Sequence, residues 1–136
     1  MAAIAELAGV SATTVYWGEG TKSQRLSLAN ADPVAIRLFV DWVRAYHDAT
    51  AGFEVRLHLH ETHDERDAID WWLEAIGVPA DIGKTSLKPD GTGHRTLSLS
   101  HGVCTARVRR SSLMLHRTLG WIDGLSVALP LRSPAA

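Results

Sequence analysis

Phe53-Glu54-Val55-Arg56-Leu57-His58-Leu59-His60 is the stretch that decides the fold. Phe53, Val55, Leu57 and Leu59 alternate with Glu54, Arg56, His58 and His60. In an extended chain successive side chains point to opposite faces, so a period of two reads as a strand with one apolar face. A core covers that face, and the face bearing Arg and His meets solvent or a ligand. Half-polar strands of this kind belong to sheets with one covered and one open side, which are mainly antiparallel.

The neighbouring segments supply the cover. Upstream, Asp32-Pro33 is a helix N-cap followed by an N1 proline. The helix it starts runs to about His47, with Ile36, Phe39, Val40, Val43 and Tyr46 on the inward face. Before it, Arg25 to Asn30 alternates and reads as a short strand. Downstream, Glu65 to Ile76 is a helix with Ile69, Trp72, Leu73 and Ile76 inward, ended by Gly77. Val78 to Gly93 is rich in Gly and Pro and reads as irregular, with a short strand near Thr85-Ser86-Leu87-Lys88. His94 to Ser100 and Val103 to Arg109 alternate around His101-Gly102, a pattern that predicts a tight hairpin. Ser111 or Ser112 caps a last helix through about Asp123, with Leu115, Leu119 and Ile122 inward. At the start, Ile4 to Ala8 reads as a short helix, and Ser11 caps another that runs to Trp17. The expected fold is α+β: a mixed, mostly antiparallel sheet with helices on one face. Residues 1–124 form one domain on this reading, and residues 125–136 a C-terminal tail.

The totals narrow the class. The 136 residues are enough for one core, and 46% hydrophobic with 21% charged residues is a globular composition. The single cysteine, Cys104, rules out an internal disulfide and a multi-cysteine zinc site, and it reads as packed in the sheet. No apolar run approaches the ~20 residues that span a bilayer. Met1 to Glu6 lacks a basic n-region, so a cytoplasmic protein without a membrane partner is expected. The net charge of −1 conceals a polarity. Residues 1–83 carry 6 Lys/Arg and 13 Asp/Glu, whereas residues 84–136 carry 8 and 2. A basic half points to an anionic partner, or to two halves that neutralise each other within one domain.

The open sheet face carries the candidate binding residues. Arg56, His58 and His60 share it on one strand, and Thr105, Arg107 and Arg109 on another, with Arg110 following. Thr96, Ser98 and Ser100 add hydroxyls. Arg reads guanine edges or binds phosphate, and Ser and Thr bond phosphates or bases, so the set suits nucleic acid. An ordinary solvated face would look the same. His58 and His60 with His63 and Asp64 also have metal-ligand chemistry. The other reading of that group is exposed histidines followed by a helix cap.

Val15-Tyr16-Trp17-Gly18-Glu19-Gly20-Thr21-Lys22 closes an apolar run on one acid held between two glycines. The helix dipole disfavours an acid at a C-terminus by roughly 0.3–1 kcal/mol, so Glu19 suggests a cation nearby. Gly20 is expected in the left-handed conformation that ends a helix, and Gly18 leaves room for a second backbone.

Ala12-Thr13-Thr14-Val15-Tyr16-Trp17-Gly18-Glu19-Gly20 resembles a LAGLIDADG motif of the variant kind ending in Glu-Gly. The resemblance extends in pattern from about Ser11 to Gly124, through the Asn30-Ala31-Asp32-Pro33 helix entry and the late Gly83-Lys84. It is a resemblance to small proteins with one degenerate homing-endonuclease-like domain. It implies a homodimer on double-stranded DNA and phosphodiester hydrolysis helped by Mg²⁺. Carried over, Glu19 is the metal-binding catalytic acid, Gly18 and Thr14 sit at the helix crossing of the dimer, and Lys84 or Lys88 stands near the attacking water. Arg56, His58, His60, Arg107, Arg109 and Arg110 fall on the DNA-binding face. Ala12 and Thr14 replace the motif's Leu and first Gly, and residues 21–32 are too few for the long first hairpin of the nucleases. These departures point to the alternative, a non-catalytic DNA-binding regulator or a remnant of one. Ile4 to Val15 is also similar to the helix-turn-helix of lactose-repressor-type regulators, with Gly9 at the turn and Ser11 starting the second helix.

Overall fold

The computed structural model describes Thr13, residues 16–18, Gly20, residues 25–88 and residues 101–128. The short helix at Ile4–Ala8, the helix-turn-helix-like stretch, Thr14, Glu19 and the His94–Ser100 strand with Thr96, Ser98 and Ser100 lie outside the described residues. The elements are β1 (Ser27–Asn30), α1 (Pro33–Tyr46), β2 (Phe53–His60), α2 (Glu65–Ile76), β3 (Ala80–Ile82), β4 (Ser86–Lys88), β5 (Val103–Val108) and α3 (Ser112–Ala128). This is the expected α+β architecture.

The strand order is β1-β5-β2-β3, with β4 also paired to β2. β5 runs antiparallel to both β1 and β2, in the two longest pairings of the sheet. β3 and β4 run parallel to β2. They divide one edge of β2 between them, β3 along Phe53–Val55 and β4 along His58–His60. The three-residue β3 carries too few positions to show a period, which is why the sequence pattern passes over it.

Alternation on β2 places Phe53, Val55, Leu57 and Leu59 in the core, all of them buried. Cys104, Ala106 and Val108 of β5 join them, as do Ile36, Phe39, Val40 and Val43 of α1 and Trp72 and Ile76 of α2. Each fully buried large aliphatic or aromatic side chain contributes about 1.5–3 kcal/mol. Asp32 caps α1 as expected, its Oδ1 accepting from the Val34 N–H at 2.9 Å. Asp64 caps α2 in the same way, accepting from Asp67 N–H at 3.1 Å.

Several expectations are corrected. Tyr46 lies at the surface, and Trp42 takes the inward place on α1. β5 pairs along both edges, with β1 and β2, and the His94–Ser100 half of the expected hairpin lies outside the described residues. Gly102 serves a close approach: it has φ 73°, and a Cβ there would come within 2.5 Å of the His58 carbonyl oxygen. The last helix continues to Ala128, past its expected end near Asp123. Gly20 is not left-handed, since Gly77 and Gly102 are the described glycines with positive φ. Its lack of a side chain has another cause. A Cβ on Gly20 would stand 2.3 Å from the Tyr16 ring, which is buried and stacked on Phe39 at 5.9 Å and Trp42 at 5.7 Å.

Candidate nucleic-acid interface

Period-two alternation fixes the open face. On β2 it shows Glu54, Arg56, His58 and His60, and on β5 Val103, Thr105 and Arg107. Register aligns these into rows. Asp81, Glu54, Arg107 and Ser27 cross the sheet in one row, Arg56, Thr105 and Ala29 in the next, and Ser86, His58 and Val103 in a third. Lys88 stands beside His60. The six residues assigned to DNA from sequence are therefore brought to one face or its edge.

Charge on this face is uneven. Glu54 is bonded by Arg56 Nε at 3.0 Å, and Asp81 by Arg109. Both acids are thus engaged. Among the described residues, Arg25, Arg107 and Arg110 make no ion pair. A basin of about 480 Å³ opens beside them, lined by Arg25, Glu54, Arg107, Arg109, Arg110, Ser111 and Ser112.

The β5–α3 junction builds that basin. The Val108 N–H donates to the Leu26 carbonyl at 2.9 Å, an ordinary ladder bond. The return bond is bridged by a hydroxyl. Leu26 N–H donates to Ser111 Oγ at 2.9 Å, and Ser111 Oγ donates to the Val108 carbonyl at 2.7 Å. Ser111 is fully buried. This wedge sets Arg25 beside the turn that carries Arg109 and Arg110. Arg110 adopts φ 51°, a left-handed conformation that costs a branched or long side chain about 1–2 kcal/mol. Gly, Asn or Asp would sit there more easily.

The His60 and His63 rings lie 5.8 Å apart. His58 Nε2 lies 3.4 Å from Thr105 Oγ1, His63 Nδ1 accepts from the His60 N–H at 3.0 Å, and Asp64 is engaged in capping α2. Among the described residues no three His, Cys, Asp or Glu side chains converge as a metal site. Glu19, the residue assigned to Mg²⁺, lies outside them.

Lys84 and Lys88 are exposed, and they are not brought to the motif. Gly20 bridges Leu28 on the outer edge of β1, whereas β4 flanks the far side of β2. Four inter-strand steps of about 4.8 Å separate them, roughly 19 Å. Glu19 itself, beside which the lysines were expected, lies outside the described residues. Of the two residues placed at the dimer crossing, only Gly18 is described, and a Cβ on it would meet open space. Thr13 and Tyr16 are buried, while Trp17 is 39% exposed.

Cys104 is buried, and burial pushes its thiol up to about 12, which leaves it unreactive at neutral pH. Trp72 is a core residue whose Nε1 donates to the His101 carbonyl at 2.8 Å, and Trp71 stacks on the His101 ring at 3.9 Å. Sequence reasoning missed Arg25 and Ser112 as parts of the face. Arg25 begins the strand already read from the alternation of Arg25 to Asn30, in phase with Ser27 and Ala29, but the outward side of that strand was not added to the binding set.

No helix among the described residues is long and apolar enough to cross a membrane. No protein-family model matches the chain, and neither does any curated protein.

Proposed function

We propose that this chain binds double-stranded DNA on the open face of its sheet, in the manner of the single-motif LAGLIDADG-like proteins its sequence resembles. One observation carries the reading. A chain of net charge −1 concentrates Arg25, Arg56, Arg107, Arg109 and Arg110 on one side of the sheet, with three of them free of ion pairs among the described residues. Arginines so placed neutralise backbone phosphates and release counterions, which is the main source of affinity for duplex DNA.

Binding without cleavage is the favoured form. The observation behind that preference is the distance of Lys84 and Lys88 from the end of the motif helix. Strand cleavage with Mg²⁺ at Glu19, by a homodimer joined along Gly18 and Thr14, is the second form of the proposal. The exposed Trp17 beside the open side of Gly18 supports an approach by another copy at that point.

Fluorescence anisotropy with a labelled random-sequence duplex tests the reading. Affinity should fall with salt in a log–log plot, and Arg107→Gln should reduce the slope by about 1. Absence of binding at 50 mM salt would overturn it. Plasmid nicking in Mg²⁺ separates the two forms: cleavage abolished by Glu19→Gln identifies a nuclease, and binding with no cleavage identifies a regulator.

A further inference from the structure

We propose that the basin at the β5–α3 junction is a dedicated phosphate-binding site, distinct from the rest of the sheet face. Four arginines, Arg25, Arg107, Arg109 and Arg110, line one concavity of about 480 Å³. Arg109 is held by Asp81, which lies outside the basin, and the Glu54 carboxylate is held by Arg56. The basin therefore keeps a net positive charge. Arginine is not deprotonated in proteins, so this charge persists at any working pH and favours an anionic ligand. Guanidinium forks match phosphate oxygens in paired hydrogen bonds, which lysines would not do.

Two further features fit an anion at this place. Ser112 opens the 17-residue helix α3 at the basin wall, so the partial positive charge of its N-terminus adds to the arginines. Arg110 is held left-handed at the turn that lines the basin. Ser111 anchors both sides from beneath, so the arginines project from a fixed frame and not from a loose loop.

The ligand chemistry is a phosphate group, and its source is either the backbone of bound DNA or a free phosphate or nucleotide. The DNA source rests on the binding reading above, and the site itself does not. The volume admits more than a single phosphate, within the roughly 300–1,000 Å³ of small-ligand sites.

The test is an amide NMR titration of the full chain with inorganic phosphate, chloride being reduced to keep ionic strength constant. Saturable shifts confined to Arg110, Ser112 and Leu113 are expected. Arg25→Gln/Arg107→Gln should weaken them at least tenfold, and Arg66→Gln, on α2, should leave them unchanged. Arg110→Gly removes one guanidinium while easing the backbone, and it too should weaken phosphate. Non-saturable shifts, shifts spread over the whole surface, or equal shifts in the double variant would overturn the site. A duplex arm separates the sources. If the double variant lowers the salt slope by about 2, the phosphate is the DNA backbone. If phosphate saturates the basin but duplex DNA does not bind, the site stands with a free phosphate and the DNA reading falls. If duplex DNA binds with the expected salt dependence but phosphate leaves the basin amides still, the DNA reading stands and the site falls.

Discussion

Lowering the pH from 7.5 to 5 should remove about 2 kcal/mol of stability through His47 alone. His47 is the C-cap residue of α1. Its ring stacks on Trp121 at 4.7 Å, meets Trp42 edge-on at 5.1 Å, and shares a 3.0 Å hydrogen bond between Nε2 and Thr118 Oγ1. Its Nδ1 is buried without a hydrogen-bond partner among the described residues. A neutral ring with the proton on Nε2 donates to Thr118 and leaves only a lone pair unmet, whereas protonation would bury an N–H with no acceptor. Burial, and secondarily the nearby Arg117 charge, lower the pKa from 6.5 to about 4. Because the folded value lies below the unfolded one, the unfolded chain takes the proton first. Stability is then complete above pH 6.5 and is lost as pH falls toward 4. Linkage with these two values gives about 2 kcal/mol by pH 5 and about 3 kcal/mol at the limit. The assay is urea unfolding followed by tryptophan fluorescence at several pH values between 7.5 and 5. His47→Gln keeps an amide to bond Thr118 and cannot titrate, so comparing the two proteins separates His47 from the other six histidines. The variant should show a flatter profile by about 2 kcal/mol. Parallel profiles, or an NMR midpoint for the His47 ring at or above 6.5, would refute the reasoning.

Ser111→Ala should cost about 1–3 kcal/mol, because it leaves both the Leu26 N–H and the Val108 carbonyl unmet in a buried place; chemical denaturation measures it. Gly102→Ala should lose about 2 kcal/mol or more, since the added Cβ meets backbone at a left-handed position, and a lowered melting temperature would report it. Gly20→Ala should likewise destabilise the fold, whereas Gly18→Ala should be nearly neutral in the monomer and should weaken a homodimer joined there. Light scattering across a concentration series distinguishes those outcomes.

Much of the fold was legible because it rests on local rules. The β2 alternation, the Asp32-Pro33 and Asp64 helix starts and the Gly77 helix end each depend on a few adjacent residues. What escaped depended on distant partners. Ala80-Asp81-Ile82 becomes a strand only because β2 offers an edge, and β5 goes to the sheet interior because β1 and β2 both claim it. Trp42 replaced Tyr46 inward because the ring cluster of Tyr16, Phe39, His47 and Trp121 receives it. The arginines were legible as members of one face. Their concavity was not, since it requires Leu26 and Ser111, residues 85 apart in the chain, to share one hydrogen bond.

By itself, then, the sequence determined the α+β class, the covered and open sides of the sheet, and the basic character of the open side. Periodicity and charge are properties of the chain before it folds. The tertiary structure alone decided that Gly20 yields to the Tyr16 ring, that Lys84 and Lys88 stand across the sheet from the motif helix, and that Arg25 joins Arg107, Arg109 and Arg110 around one basin. These are outcomes of strand order and close packing, which bring together residues that no local spacing relates.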